Sequence, residues 1–467
     1  MPEKYHIKTE PVPPRRPRIG KYGVVDWRED CARCHNCVKK ACVYDRHRQE
    51  AEYIRNLSDV DALFFDCMGC FSCVQNCTKG LLRLAVNPVY TGLGNSYWTP
   101  EIIQTTWMQA ETAKIPVSGA GYRGPFSGPG FDSMWTDMSE IVRPTRDGIH
   151  GREYISTTVD LGRKLPFLAF EAKNLASAGP PVVPIPMPLL IDMSSPQYTL
   201  PALGPILRAT AVRTDLIAIV DSRDWPFALD DQEDYLPCMA FYLNPEAPQL
   251  PREVLGKTRL VEIPDGSDVL ERIKKLKDIC PGIVVSVKVR LDSRGSKQAI
   301  ELAGFQEIEV IHVEADLNGN EIGVQNPRFI KDMIREIHTA LIESGQRDEV
   351  TIMASGGIAL AEHLAKALIC GADLVTIDLP LLIALECQLC KNCKPGMSCP
   401  ARLERIDFNY GVGRMTNLIS AWHDQLVEVM GAMGMREARR LRGDVGRGMF
   451  FEQLEEETFG RLFGTRR

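Results

Sequence analysis

No apolar run in this chain reaches the ~18 residues that a membrane span needs. Its opening residues, Met1-Pro2-Glu3-Lys4-Tyr5-His6, lack the apolar core of an export signal, so a cytoplasmic protein is expected. Neither sign of charge dominates. Fifty-five Lys and Arg stand against 61 Asp and Glu, and a net charge of -6 argues for neither nucleic acid nor an anionic membrane surface as partner. Without an oxidising compartment, disulfides are not expected either. Cysteine is nevertheless plentiful, at 15 residues, and in a reducing cytoplasm that means metal binding.

Eight of the cysteines form two runs, Cys31-x2-Cys34-x2-Cys37-x4-Cys42 and Cys67-x2-Cys70-x2-Cys73-x3-Cys77. Three cysteines at steps of three wrap one corner of a cubane cluster, and in two-cluster ferredoxins the distant fourth serves the other cluster. The spacing predicts one [4Fe-4S] centre on Cys31, Cys34, Cys37 and Cys77, and a second on Cys67, Cys70, Cys73 and Cys42. A zinc site would use four ligands and leave the third cysteine of each triplet idle. Two irregularities stand out. The usual proline after the fourth cysteine is Val43 in one run and Thr78 in the other, and the gap before Cys42 is one residue longer than the common pattern. Cys238, Cys280 and Cys370 are single and read as ordinary core residues.

At 467 residues the chain has room for about three structural units. Residues 1–20, rich in proline and arginine, read as an extended arm, packed on the surface or on a partner. The ferredoxin unit occupies 21–90, and 91–180 alternates loops and short helices as a connecting region. Within it Gly119-Ala120-Gly121-Tyr122-Arg123-Gly124 matches a dinucleotide fingerprint in form only: no strand precedes it, and Pro125 forbids the helix that should follow.

From about 181 to 410 short apolar runs alternate with helical stretches. The expected strands are Pro188–Met193, Leu216–Val220, Met239–Leu243, Arg259–Ile263, Ile283–Arg290, Ile308–Val313, Val350–Met353 and Leu374–Ile377. Helices are expected at Asp268–Lys277, Ser296–Ala303, Pro327–Glu343 and Ala361–Cys370. Eight such strands joined by crossovers predict a (β/α)8 TIM-type barrel, in the α/β class, with an open doubly wound sheet as the alternative. Residues 411–467 read as a helical C-terminal segment. After the last strand comes Cys387-x2-Cys390-x2-Cys393-x5-Cys399-Pro400, an iron–sulfur signature for which a four-cysteine zinc site competes.

Several stretches resemble one family. Ala354-Ser-Gly-Gly-Ile-Ala-Leu, Ala365–Asp373, Pro380–Cys387, Trp422–Leu426 and Leu441–Arg447 are similar to the FMN-binding barrel domain of glutamate synthase, in its archaeal type with an N-terminal ferredoxin. The resemblance runs from about residue 110 to 460 and is tight from about 350 onward. It implies a [3Fe-4S] cluster on Cys387, Cys393 and Cys399, while the additional Cys390 makes [4Fe-4S] available. It implies FMN, with its phosphate on Ser355, Gly356 and Gly357, Lys288 as counter-ion and catalytic group, and Met193 and Ser194 beside the ring.

Departures from the family pattern are concentrated at the same places. The second glycine loop reads Ile377-Asp378-Leu379-Pro380, the basic residue after the glycine pair is Ala359, and the substrate loop is replaced by Val313–Glu321. The Ser-Phe-Gly turn after the first strand reads Ser194-Ser195-Pro196. Two functions follow. One is an oxidoreductase subunit acting on CH-NH2 donors, moving electrons from ferredoxin-type clusters to FMN for reductive amination of 2-oxoglutarate. A separate glutaminase-type subunit would supply ammonia, since the sequence opens on Met1-Pro2 and not on a cysteine nucleophile. The other is an electron-transfer or scaffold subunit of a different multi-subunit oxidoreductase, its barrel without that activity. Other redox subunits are the expected partners in both.

Overall fold

The protein is described by a computed structural model covering residues 5–16, 19–25, 34, 36, 43, 70–81, 83–115, 130–136, 154–165, 170–171, 174–175, 179–194, 202–224, 233–247, 250–390 and 399–464. The chain divides into two compact units. One comprises Met1–Val12, Met108–Cys387 and Ser398–Arg467, and the other Pro13–Trp107 with Gln388–Met397.

In the larger unit, eight parallel strands close into a barrel. They are β1 (Leu189–Met193), β2 (Ala218–Asp221), β3 (Met239–Tyr242), β4 (Leu260–Pro264), β5 (Val284–Arg290), β6 (Val310–Glu314), β7 (Thr351–Ser355) and β8 (Leu374–Ile377). All eight expected strands are present, and pairing of Val375 with Leu189 closes the ring, which removes the open-sheet alternative. The strands are rich in Val and Ile because a sheet covered on both faces buries every side chain. Helices α1 (Leu203–Thr214), α2 (Val269–Ile279), α3 (Gly295–Ala303), α4 (Ile330–Glu343), α5 (Ala361–Cys370) and α6 (Leu379–Ala384) follow individual strands.

The C-terminal segment opens with the long helix α7 (Phe408–Ala432), whose N-cap Asp407 accepts from the Tyr410 N–H at 2.8 Å. It packs against α1 and α5, with Trp422 and Arg414 fully buried. The N-terminal arm follows it: Asn417 Nδ2 donates to Glu10 O at 2.8 Å, and Arg414 Nη1 to Val12 O at 3.1 Å.

Neighbouring strands pair Asp192 with Ile219, Tyr242 with Glu262, Glu262 with Ser286, Lys288 with His312, and Glu314 with Ser355. Paired residues share a face and alternate residues face opposite sides. One parity therefore lines the interior of the barrel, and it is the polar one.

In the smaller unit, Tyr22–Val25 pairs antiparallel with Arg83–Val86, and a short helix spans Ser72–Gln75. Cys31, Cys37, Cys42, Cys67 and Cys393, and the fingerprint-like Gly119–Gly124, lie outside the described residues.

Candidate functional site

Each barrel strand carries its polar residue near the C-terminal end, the face where barrels of this kind place their chemistry. Lys288, on β5, sits at the centre of the group. Its Nζ lies 2.7 Å from Asp192 Oδ2, 3.0 Å from Glu262 Oε1 and 3.5 Å from Glu314 Oε1. It also donates to Ser194 Oγ at 3.0 Å and lies 5.4 Å from the centre of the Tyr242 ring. Ser194 in turn donates from both N–H and Oγ to Asp192 Oδ1.

Such burial costs each charge its hydration, so the partners decide the protonation states. Burial pushes the Asp192 carboxyl up, but Lys288, then His312 and the hydrogen bonds from Lys288 and Ser194, hold it at about 2. Glu262 is lowered against its burial by Lys288 and His312. Burial disfavours the Lys288 ammonium, yet Asp192, Glu262 and Glu314 keep it well above the ordinary lysine value. Asp192, Glu262 and His312 offer ligand atoms within 4.8 Å of one another, a grouping that could hold a metal ion. The Lys288 ammonium already makes close ion pairs with both carboxylates, so the cluster carries its own cation.

Deeper in the barrel, His312 on β6 joins two strands. Its Nδ1 lies 2.7 Å from Glu262 Oε2 and its Nε2 2.8 Å from Ser355 Oγ. Ser286 Oγ also donates to Glu262 Oε2, at 3.2 Å. An ionised carboxylate only accepts, so the His312 Nδ1–H donates to Glu262, which leaves Nε2 facing the Ser355 hydroxyl.

The residues that the family resemblance assigns to a flavin phosphate are placed as follows. Ser355 ends β7, with its hydroxyl committed to His312. Gly356 and Gly357 have φ of 94° and 70°, which only glycine takes without strain. A Cβ at Gly356 would stand 2.6 Å from Asp316 O, and one at Gly357 2.6 Å from the Gly319 Cα. The space above the glycines is therefore filled by the neighbouring 315–319 loop. At the next loop, Asp378 caps α6, accepting from the Leu379 N–H at 2.5 Å. A phosphate binds such a helix terminus because it is positive and has unmet N–H groups. Here a carboxylate holds that position. The carboxylate at that terminus does not fit a phosphate dianion. Lys288 and Ser194 lie in the mouth, whereas Met193 belongs to the outward parity of β1 and points away from it.

Asp192, Glu262, His312, Tyr242, Ser286 and Glu314 go beyond the residues that sequence reading assigned to the site. Their signal was a charged or polar residue at the interior parity of an otherwise apolar strand, as in Leu189-Leu-Ile-Asp-Met193 and Val310-Ile-His-Val-Glu314.

Among the cysteines, Cys34, Cys70, Cys73 and Cys77 lie in the smaller unit. The Cys34 thiol is lowered by the Asn36 backbone N–H and by Thr78, and the charge of Cys77 opposes this. The Cys34 Sγ lies 3.7 Å from Oγ1 of Thr78, the residue after Cys77, which brings the two runs of the sequence together. Leu81 N–H donates to Cys77 Sγ at 3.3 Å, the kind of bond that tunes cluster thiolates. In the larger unit Cys387 is buried after a left-handed Glu386 (φ 71°), and Cys399 accepts at its carbonyl from Arg402 N–H. Cys390 belongs to the smaller unit and is half-buried.

Among the described residues no helix is long and apolar enough to cross a membrane. Residues 253–436 match the conserved region in glutamate synthase. An archaeal-type glutamate synthase [NADPH] from Dehalococcoides mccartyi is 25% identical, aligned over 92% of this chain and 96% of its own. The archaeal glutamate synthase [NADPH] of Archaeoglobus fulgidus is 24% identical over 94% and 96%. That of Methanocaldococcus jannaschii is 35% identical over 28% of each chain. Among solved structures, a flavocytochrome b2 mutant with pyruvate bound has 12% identity over 72% of this chain and 82% of its own, with a TM-score of 0.40. Residues 253–436 thus match the conserved glutamate synthase region, and the chain is similar to archaeal-type glutamate synthases along nearly their whole length.

Proposed function

We propose that this chain is an iron–sulfur electron-transfer subunit of a glutamate synthase-like oxidoreductase, its barrel working without a flavin phosphate in the β7 and β8 loops. Similarity to the glutamate synthases supports the oxidoreductase class. The observation that carries the finer reading is Asp378, whose carboxylate takes the helix terminus that an FMN phosphate would need. The two ferredoxin-type clusters, on Cys31, Cys34, Cys37 and Cys77 and on Cys67, Cys70, Cys73 and Cys42, and a third on Cys387, Cys390, Cys393 and Cys399, would carry single electrons. The Cys34 Sγ, 3.7 Å from Oγ1 of Thr78, the residue after Cys77, supports the crossed ligand assignment. Other redox subunits would complete the complex.

Metal and flavin analysis of the anaerobically purified chain tests this. About twelve irons per chain with no extractable flavin is the expected result. One FMN per chain, with glutamate formed from 2-oxoglutarate and ammonia, would instead establish the complete synthase reaction. Eight irons with zinc would assign the third cysteine set to zinc.

A further inference from the structure

Glu262 on β4, His312 on β6 and Ser355 on β7 meet in a fixed order. Carboxylate Oε2 is 2.7 Å from Nδ1, and Nε2 is 2.8 Å from the serine Oγ. This is the connectivity of an acid–base–nucleophile triad, which is recognised by geometry and not by position in the chain. Ser355 is the last residue of its strand, on the face of the barrel that carries chemistry. The exposure pattern has the same polarity: Glu262 and His312 are sealed at 0%, while Ser355 keeps 8% and, around it, Lys288 8% and Asp192 7%. The orienting groups are fully sealed, and the serine is the member of the three that keeps some exposure. Lys288, 3.0 Å from the other oxygen of Glu262, keeps that carboxylate ionised and therefore an acceptor.

We infer that the barrel mouth is an acyl-transfer site, with Ser355 as nucleophile, His312 as general base and acid, and Glu262 orienting His312. As the Ser355 Oγ–carbon bond forms on an ester carbonyl, the hydroxyl proton passes to His312 Nε2 and the carbonyl π pair moves onto its oxygen. Collapse of this tetrahedral species breaks the bond to the alcohol, which leaves with the proton from Nε2. Water then adds to the acyl-serine, giving its proton to Nε2, and Ser355 departs reprotonated; the sum is ester plus water to acid plus alcohol. The backbone N–H of Gly356, the residue after the nucleophile, occupies the chain position from which serine hydrolases draw an oxyanion donor. Three carboxylates, Asp192, Glu262 and Glu314, surround the single Lys288 ammonium. Such a mouth selects neutral or cationic esters over anionic ones.

The test is covalent labelling of the folded, cluster-loaded chain with a neutral fluorophosphonate, followed by peptide mapping. One adduct per chain on Ser355 is expected, absent after denaturation and absent in Ser355→Ala. His312→Gln should slow labelling at least about a hundredfold, the share of a positioned base. If that variant fails to fold, the isosteric Glu262→Gln reads the same dependence. A folded wild-type chain unlabelled at Ser355, or labelled at a rate that the His312 and Glu262 variants leave unchanged, overturns the inference. Its readout is independent of iron and flavin content, so it can fail while the electron-transfer reading stands.

Discussion

The two ends of the barrel each bury a histidine, cations and carboxylates, yet use them differently. At the C-terminal mouth His312 lies between a carboxylate and a serine hydroxyl. At the N-terminal end His338, on α4, accepts from Arg347 Nε at 2.9 Å. The same guanidinium donates to Val350 O at 3.0 Å, Gly371 O at 2.6 Å and Asp373 Oδ2 at 2.8 Å. Arg442 adds a bond to Asp373 Oδ1 at 3.1 Å. Nearby, Arg163 ties the ends of two strand connections to the barrel through Ile308 O, Ala303 O and Glu349. These guanidinium donors end on a ring nitrogen, backbone carbonyls or carboxylates, as a structural seam requires. A carboxylate beside an imidazole makes a base, whereas a guanidinium beside one makes a spacer.

The largest effect should come from breaking the seam. Arg347→Met leaves Asp373, buried and otherwise held by Arg442, short of its closest cation, and strands two backbone carbonyls. A loss of about 3–5 kcal/mol is expected, the cost of removing one partner from a buried pair. Urea unfolding of the anaerobic protein measures it. A loss below about 1 kcal/mol, the worth of an exposed pair, would show that the base is no seam. At the mouth the balance reverses. Glu262→Gln keeps the shape of the side chain, and about 1–3 kcal/mol is expected for the disturbed hydrogen bonds. Reactivity at Ser355 should respond far more than stability does.

Acid titration separates the two ends more gently. Burial first, then Arg347 and Arg442, push His338 down to about 4, against the smaller opposing pull of Asp373 and Asp348. The unfolded chain therefore takes up this proton first, so His338 contributes stability that is complete above its unfolded value near 6.5 and is lost as pH falls toward 4. Glu362, in the first turn of α5, has the opposite sign. Burial raises it to about 7, against the pull of Lys366 and reinforced by Asp132. Its contribution is complete below its unfolded value near 4.5 and is lost as pH rises through 7. The two slopes oppose each other between pH 4.5 and 6.5. Relative to the parent, stability of Glu362→Gln should rise more steeply with pH across that window, and that of His338→Gln should rise less. Parallel profiles for all three proteins would contradict both assignments.

The barrel was legible because its signal is repeated eight times. Each strand is a short β-branched run between turn residues, and the predicted and observed limits differ by at most two residues, with Leu374–Ile377 unchanged. Lys288 could be read as a mouth residue from its place near the end of β5. Its partners could not, because register between strands decides which residues share a face, and no local pattern prints that register. Asp192 and His312, 120 positions apart, looked like isolated polar interruptions in apolar strands. Gly356 and Gly357 show where such reading stops. Glycine marks close approach, but the sequence does not say whether a ligand or the 315–319 loop makes the approach. The resemblance supplied the ligand, whereas the structure supplies the loop.

The smallest change in stability should come from Asp378, where it is also the most informative. Asp378→Ala removes the N-cap of α6 and should cost about 1 kcal/mol. Asp378→Asn keeps an oxygen that can accept from the Leu379 N–H, so only a few tenths of a kcal/mol are expected. What Asn does remove is the negative charge at the helix terminus. Two like charges a few ångströms apart in a partly buried site repel by several kcal/mol at most, so relief of this term should strengthen binding of added FMN by about tenfold or more. Quenching of FMN fluorescence reads this directly. If instead the parent chain already binds FMN stoichiometrically and Asp378→Asn changes nothing, the carboxylate is only a cap. The two ends of the barrel would then differ in their histidines but not in their openness to a ligand.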